Sequence, residues 1–291
     1  MTLNFFEDHT RVRHMPAGFR WPGGHKLAVM IGVAYEAWSD GKAPGIGPMG
    51  NPLPPGFVDT NALAWAEYGT ARGMDRLLRV LHRHGARATV MVNGVLCERV
   101  PETVRRIAEA GHDIAAHSWG MDVMPTMLSE AEEIQNIERT TRILAETTGR
   151  PPRGWISPRG TPSVRTAQLV SKAGYDWQLD LLYEDLPSVL EFGERTLVEL
   201  PAGMHVNDLP FHVRYGHAPE ELEGVFHAAL EAMRSDDLAL TLDVIVHAHV
   251  FGRPVGAAVF GRIVEQVMKL PDVWVATASD MADHVRAQAA R

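Results

Sequence analysis

Leu27 to Ala34 reads LAVMIGVA, eight residues without a charge or a side-chain amide. A strand this apolar is covered on both faces, which is the habit of parallel strands lying between helices rather than of an antiparallel sheet with one wet face. The same alternation recurs along the chain. Gly73 to His84 carries Met74, Leu77, Leu78 and Leu81 at helical spacing and stops at Gly85. Ala88 to Val92 is a second strand-length run. A helix from Pro101 to Gly111 follows it, then a third run, Ile114 to Ala116. Ser129 with Glu132 three residues on predicts a capping box at the head of a long helix that ends at Gly149. Further strand-like runs lie at Gly154 to Ile156, Leu197 to Leu200, Val244 to Val246 and Val273 to Ala276. Helical patterns fill 163–173, 219–234, 256–269 and 279–289.

Seven or eight strand–helix units in sequence, with no break in composition, predict parallel pairing and closure on itself. The expected fold class is α/β: a single barrel, one domain over residues 1–291. Length alone would suggest two domains, but barrels of this class run past 250 residues as one unit. Trp38 to Gly56 departs from the pattern, with five Gly and five Pro among polar residues directly after the first strand. So long a connector is either disordered or a lid, and the lid is expected over 38–56.

Composition removes several function classes. Hydrophobic residues make up 45% and charged residues 22%, so the chain is neither disordered nor fibrous. Subtracting 36 acidic from 28 basic residues gives −8, with pI near 5.9, which disfavours nucleic acid as a partner. No apolar run reaches the ~18 residues of a membrane span, and Met1 to Asp8 does not read as a signal peptide. The lone Cys97 cannot form an internal disulfide and, preceding Glu98, has no activating neighbour. A cytoplasmic location, no membrane and no nucleic-acid partner are the expectations.

In a barrel the reacting groups sit where strands end. Tyr35 and Glu36 follow the first run, Asn93 the second, His117-Ser118-Trp119-Gly120-Met121-Asp122 the third, and Ser157-Pro158-Arg159 the fourth. Asp180 lies near the fifth. His205, Asn207 and Asp208 follow the sixth, and His247 and His249 the seventh. Glu36 reads either as a general base or as an ordinary carboxylate at a strand end. His117 is either a positioning imidazole or a core histidine. Two residues apart, His247 and His249 would share a face on a strand, and His249 reads equally as a partner of His247 or as a catalyst itself. Trp119 and Trp38 are candidates to wall a flat substrate. Asn207 offers both a donor and an acceptor to a ring amide, or else forms a turn.

This order of motifs resembles the NodB-homology polysaccharide deacetylase superfamily, from about Phe19 to the C-terminus, and the resemblance implies a single deformed (β/α)7-type barrel. The similarity is greatest to a branch that includes cofactor-independent allantoinases and cyclic amide or imide hydrolases. It is carried by Tyr35-Glu36, His117, Gly154-Trp155 with Arg159, Asp185-Leu186-Pro187, Asn207-Asp208, and His247 with Gly252-Arg253-Pro254. The resemblance implies Glu36 as base, Arg159 orienting it, His247 as the acid that protonates the leaving nitrogen, and Asp180 tuning that acid. His117 completes the catalytic set, and Tyr35, Trp119, Asn207 and His249 are expected to bind substrate. Metal-dependent members carry Asp-Asp after the first strand and a His-Ser/Thr-x-x-His zinc motif. Here the corresponding residues are Glu36-Ala37 and His117 to Met121, so a methyl group and a thioether stand where zinc ligands would.

No metal is therefore expected, with Zn²⁺ as the alternative, rebuilt from His117, His247 or Asp122. The implied function is a hydrolase opening a small cyclic amide, imide or ureide; the alternative is a metal-dependent deacetylase of an N-acetylated sugar or peptidoglycan. A barrel that only binds would need no base and acid at one rim. The resemblance also implies a homo-oligomer, in that branch a tetramer. Glu36, entering from an apolar strand, is expected to have its pKa raised toward neutrality.

Overall fold

The computed structural model describes residues 10–16, 18–50, 53–54 and 56–289. Its strands are β1 (Arg11–His14), β2 (Leu27–Tyr35), β3 (Thr89–Val92), β4 (Asp113–Ala116), β5 (Gly154–Trp155), β6 (Trp177–Leu181), β7 (Ser188–Phe192), β8 (Arg195–Pro201), β9 (Val206–Asn207), β10 (Leu240–His247) and β11 (Trp274–Val275). All belong to one sheet, and a parallel path runs β9-β10-β2-β3-β4-β5-β6-β8. β7 pairs antiparallel with β8 and β1 with β7, forming a flap on the end of that path. β11 pairs with the first half of β2, whose second half takes β3. The expected α/β architecture with parallel strands is the one observed. No strand ladder joins β8 to β9 among the described residues. There the Gly203 N–H donates to the Asp243 carboxylate at 2.9 Å.

Nine α-helices cover the sheet among the described residues: α1 (Thr60–Tyr68), α2 (Met74–Arg83), α3 (Val95–Arg99), α4 (Pro101–Glu109), α5 (Glu130–Thr148), α6 (Thr166–Lys172), α7 (Glu221–Ser235), α8 (Pro254–Val267) and α9 (Ala278–Ala289). α5 opens on the predicted capping box and ends at Gly149 with φ 79°. None of these helices is long and apolar enough to cross a membrane. Six of these strands and helices escape the sequence pattern: β1, α1, α3, β6, β7 and β9. The apolar residues of α1 are mostly alanines and draw no clear stripe. β6 (WQLDL) and β7 (SVLEF) are too short and too interrupted by polar residues to stand out.

Strand alternation sorts the core into two clusters. Val29, Ile31, Val33 and Tyr35 of β2 point outward with Val244 and Val246 of β10 into the layer of helices. Ala28, Met30 and Ala34 of β2 point inward with Ala115 and Ile245. α9 closes the lower end. Trp177 donates its indole N–H to Ser279 Oγ at 2.9 Å, and Ser279 Oγ in turn donates to Asp113 at 2.8 Å.

Residues 38–56 follow shortly after β2, with 51, 52 and 55 lying outside the described residues. The start is tethered: Ser39 N–H donates to Asp122 Oδ1 at 2.8 Å and Arg99 pairs with Asp40 at 2.6 Å. Farther on, Met49 and Leu53 are exposed.

Candidate active site

The inward parity of each strand carries one titratable residue over the rim. Glu36 continues the series Ala28, Met30 and Ala34. His117 continues from Ala115, and His247 from Ile245. All three side chains are buried, and they converge. Glu36 Oε1 lies 3.6 Å from His117 Nε2 and 3.5 Å from His247 Nε2. Glu36 Oε2 lies 3.9 Å from His249 Nδ1.

Each imidazole is aimed from behind. His117 Nδ1 donates to the Ile156 carbonyl at 2.6 Å, which directs Nε2 at Glu36. His247 Nδ1 donates to Asp208 Oδ1 at 2.6 Å. The same carboxylate accepts the backbone N–H of His247 and that of Phe251, at 2.9 and 3.1 Å to Oδ2, so it is fixed by three donors. Asn93, at the end of β3, accepts the Ala37 N–H at 2.9 Å and donates to the His117 carbonyl, tying the base strand to the His117 strand.

Electrostatics divides the group into a base and an acid. Burial alone would raise the Glu36 carboxyl, but the imidazoles of His247, His117 and His249 outweigh it and hold it down at about 2. The expected upward shift is therefore corrected: the apolar strand buries Glu36, and the ring of imidazoles it ends among decides the sign. Burial works against charge on His247 too, yet Glu36 and Asp208 raise it to about 9. Burial lowers His249 to about 4; the upward pull of Glu36 falls short of burial, His247 and Arg253 together. Near neutral pH the site thus holds a carboxylate, an imidazolium with a proton on Nε2, and an uncharged imidazole.

Five site residues read from the sequence sit elsewhere. Asp180 does not tune His247; it accepts the Ser157 N–H at 2.9 Å and the Ser157 hydroxyl at 2.7 Å, and burial raises it to about 6. Asp208 holds His247 instead. Arg159 does not hold Glu36: its side chain is exposed, its backbone is left-handed at φ 61°, and its guanidinium reaches Met124 Sδ at 4.0 Å. Tyr35 has the outward parity of β2 and is buried in the helix-facing core. Trp119 lies in that core too, with the Arg139 guanidinium over its ring. Asn207 accepts the Leu209 N–H at 3.1 Å and so closes its own turn.

Two contributors carried little signal. Asp208 was visible only as half of an Asn-Asp pair, with nothing local to link it to a histidine 39 residues on. Trp65 sits on the unpredicted helix α1 and meets His249 edge-on at 4.6 Å, with Trp38 on it at 5.7 Å.

At the two positions where the resemblance sets zinc ligands, this chain offers no zinc donor. Positions 37 and 121 meet through a backbone bond, Met121 N–H to Ala37 O at 2.9 Å, and present a buried methyl and a buried thioether. No group of three or more His, Cys, Asp or Glu among the described residues is arranged to hold a metal ion.

Residues 66–177 match the polysaccharide deacetylase family model. Over 88% of this chain and 97% of the relative, the chain is 23% identical to a peptidoglycan deacetylase of Helicobacter pylori. The crystal structure of a putative polysaccharide deacetylase from Mycobacterium smegmatis superposes with a TM-score of 0.81 at 29% identity, covering 95% of this chain and 96% of that one. The PuuE allantoinase structure superposes equally well, TM-score 0.81, at 24% identity and 92% coverage of both chains. Residues 66–177 thus carry the match to the polysaccharide deacetylase family model, and nearly the full length shares the fold of the polysaccharide deacetylase structure from Mycobacterium smegmatis.

Proposed function

We propose that the protein hydrolyses the C–N bond of a small cyclic amide, imide or ureide without a metal. The observation that carries this reading is the buried Glu36 carboxylate, with His117 and His247 Nε2 at 3.6 and 3.5 Å and no zinc donor at positions 37 and 121. Glu36 takes a proton from water as the water oxygen bonds to the ring carbonyl carbon. His117, held from behind by the Ile156 carbonyl, sets its Nε2 beside the developing oxyanion. His247 gives its Nε2 proton to the ring nitrogen as the C–N bond breaks, leaving a carboxylic acid and an amine or amide on one opened chain. The proton on Glu36 then crosses 3.5 Å to His247 and restores both groups. The loop over 38–56 is the cover for a bound ring under this proposal, tethered at its start and exposed farther along.

A second reading, deacetylation of an N-acetylated sugar, draws support from the names of the relatives, peptidoglycan deacetylases among them. A panel of allantoin, hydantoin, dihydrouracil and succinimide beside chitooligomers separates the two. We expect a new carboxylate from at least one ring and no acetate from the oligomers; acetate release with intact rings would replace the first reading with the second.

A further inference from the structure

His249 is held as firmly as the two histidines that face it, yet no step above uses it. Its ring is buried, and Nδ1 has no hydrogen-bond partner in the protein. Leaving a buried polar atom unpaired is costly, because it has given up water for nothing. The backbone beneath it is packed without slack. A methyl at Gly69 would come within 3.2 Å of His249 N, and one at Gly73 within 1.9 Å of Ala248 O, so the turn joining α1 to α2 lies directly on this segment. Arg253 donates from Nε to the His249 carbonyl at 3.3 Å and from Nη2 to the Trp65 carbonyl at 3.4 Å. Trp38, Trp65 and His247 meet the ring edge-on, at 85–89°. The orientation is fixed, and it turns Nδ1 toward Glu36 Oε2 at 3.9 Å.

We propose that His249 is a positioning residue that orients the attacking water, accepting one of its hydrogens at Nδ1 while Glu36 Oε2 accepts the other. A separation of 3.9 Å is too long for a direct bond. It is the span that one water bridges at about 2.8 Å to each atom. With both hydrogens directed at these acceptors, the oxygen lone pairs are left to face the ring carbonyl. The role requires an uncharged ring. Of the charged groups facing it, Glu36 favours protonation while His247 and Arg253 oppose it; the two tryptophans bring no charge, and burial tips the ring to neutral. In the reaction His249 keeps its own proton. One O–H bond of water breaks, that proton goes to Glu36, and the other hydrogen stays on the oxygen that bonds to carbon.

The inference rests on the ring-hydrolysis reading for its kinetics but not for its geometry, so it is tested in two ways. A high-resolution crystal structure of the wild-type protein should show one ordered water within hydrogen-bonding distance of both Glu36 Oε2 and His249 Nδ1. His249→Phe should lose that water. On the ring turned over best, His249→Phe should lose about 10²-fold in kcat, the scale of a misplaced reactant, with KM changed far less. His249→Asn, whose amide sets a polar atom near the place of Nδ1, should recover most of that loss. Nδ1 bonded to another group, no shared water in the wild type, or a Phe variant turning over like the wild type would overturn the proposal. The crystallographic result stands even if no ring in the panel is hydrolysed, which would count against the reading instead.

Discussion

Glu36→Gln should lower kcat by roughly 10²–10⁴-fold, the usual worth of general acid–base catalysis, with KM nearly unchanged. The substitution keeps the size of the side chain and one carbonyl oxygen among the three imidazoles, so a substrate that fits the wild-type site fits the variant. What it removes is the negative charge that accepts the proton. An interaction present only in the transition state is read as a loss in kcat and kcat/KM together. Because the carboxylate is held down at about 2, the wild-type enzyme has its base ionised throughout the ordinary assay range. The variant should therefore be impaired at every pH between 5 and 8 rather than on one limb. Near-normal turnover on the true substrate would place the base elsewhere.

The second large effect is expected at Asp208. Its carboxylate takes the His247 Nδ1–H and the backbone N–H groups of His247 and Phe251. Asp208→Asn leaves one oxygen for three donors and turns an amide N–H₂ toward the others, so the imidazole loses both its aim and part of the charge that keeps it protonated. We expect kcat to fall by about 10²-fold or more. The pH dependence supplies the diagnostic. His247 acts as an acid, so activity is lost as pH rises through its folded value of about 9. In Asp208→Asn that alkaline limb should move down toward the ordinary histidine value of about 6.5. Stability follows the same sign. A histidine raised on folding contributes stability that is complete below its unfolded pKa and disappears as pH rises through about 9. Thermal melts of the wild type at pH 6 and pH 10 should differ more than those of the variant; equal differences would separate Asp208 from the charge on His247.

The parity of three strands made much of this site legible. In β2 the outward residues Val29, Ile31 and Val33 lead to Tyr35, and the inward ones lead to Glu36, so neighbouring positions have opposite fates. Treating Tyr35 and Glu36 as one motif hides that difference, and the tyrosine belongs to the core. Trp119 is likewise adjacent to the site in sequence and turned away from it in space. Asp180 and Arg159 were placed by resemblance, but which carboxylate reaches His247 depends on how β9 lies against β10, a contact of two residue pairs that no local pattern announces. The sign of the shift at Glu36 escaped for the same reason. Burial can be read from an apolar run, whereas three imidazoles arriving from two other strand ends cannot.

The claim that base, acid and oriented water suffice without a metal is tested most directly on wild-type protein. Its zinc content is measured before and after exhaustive chelation, and ring-amide hydrolysis is followed in each sample. The account predicts metal well below one equivalent per chain and a rate that chelation leaves unchanged. Stoichiometric metal, with activity that vanishes on its removal and returns when zinc is restored, would contradict it.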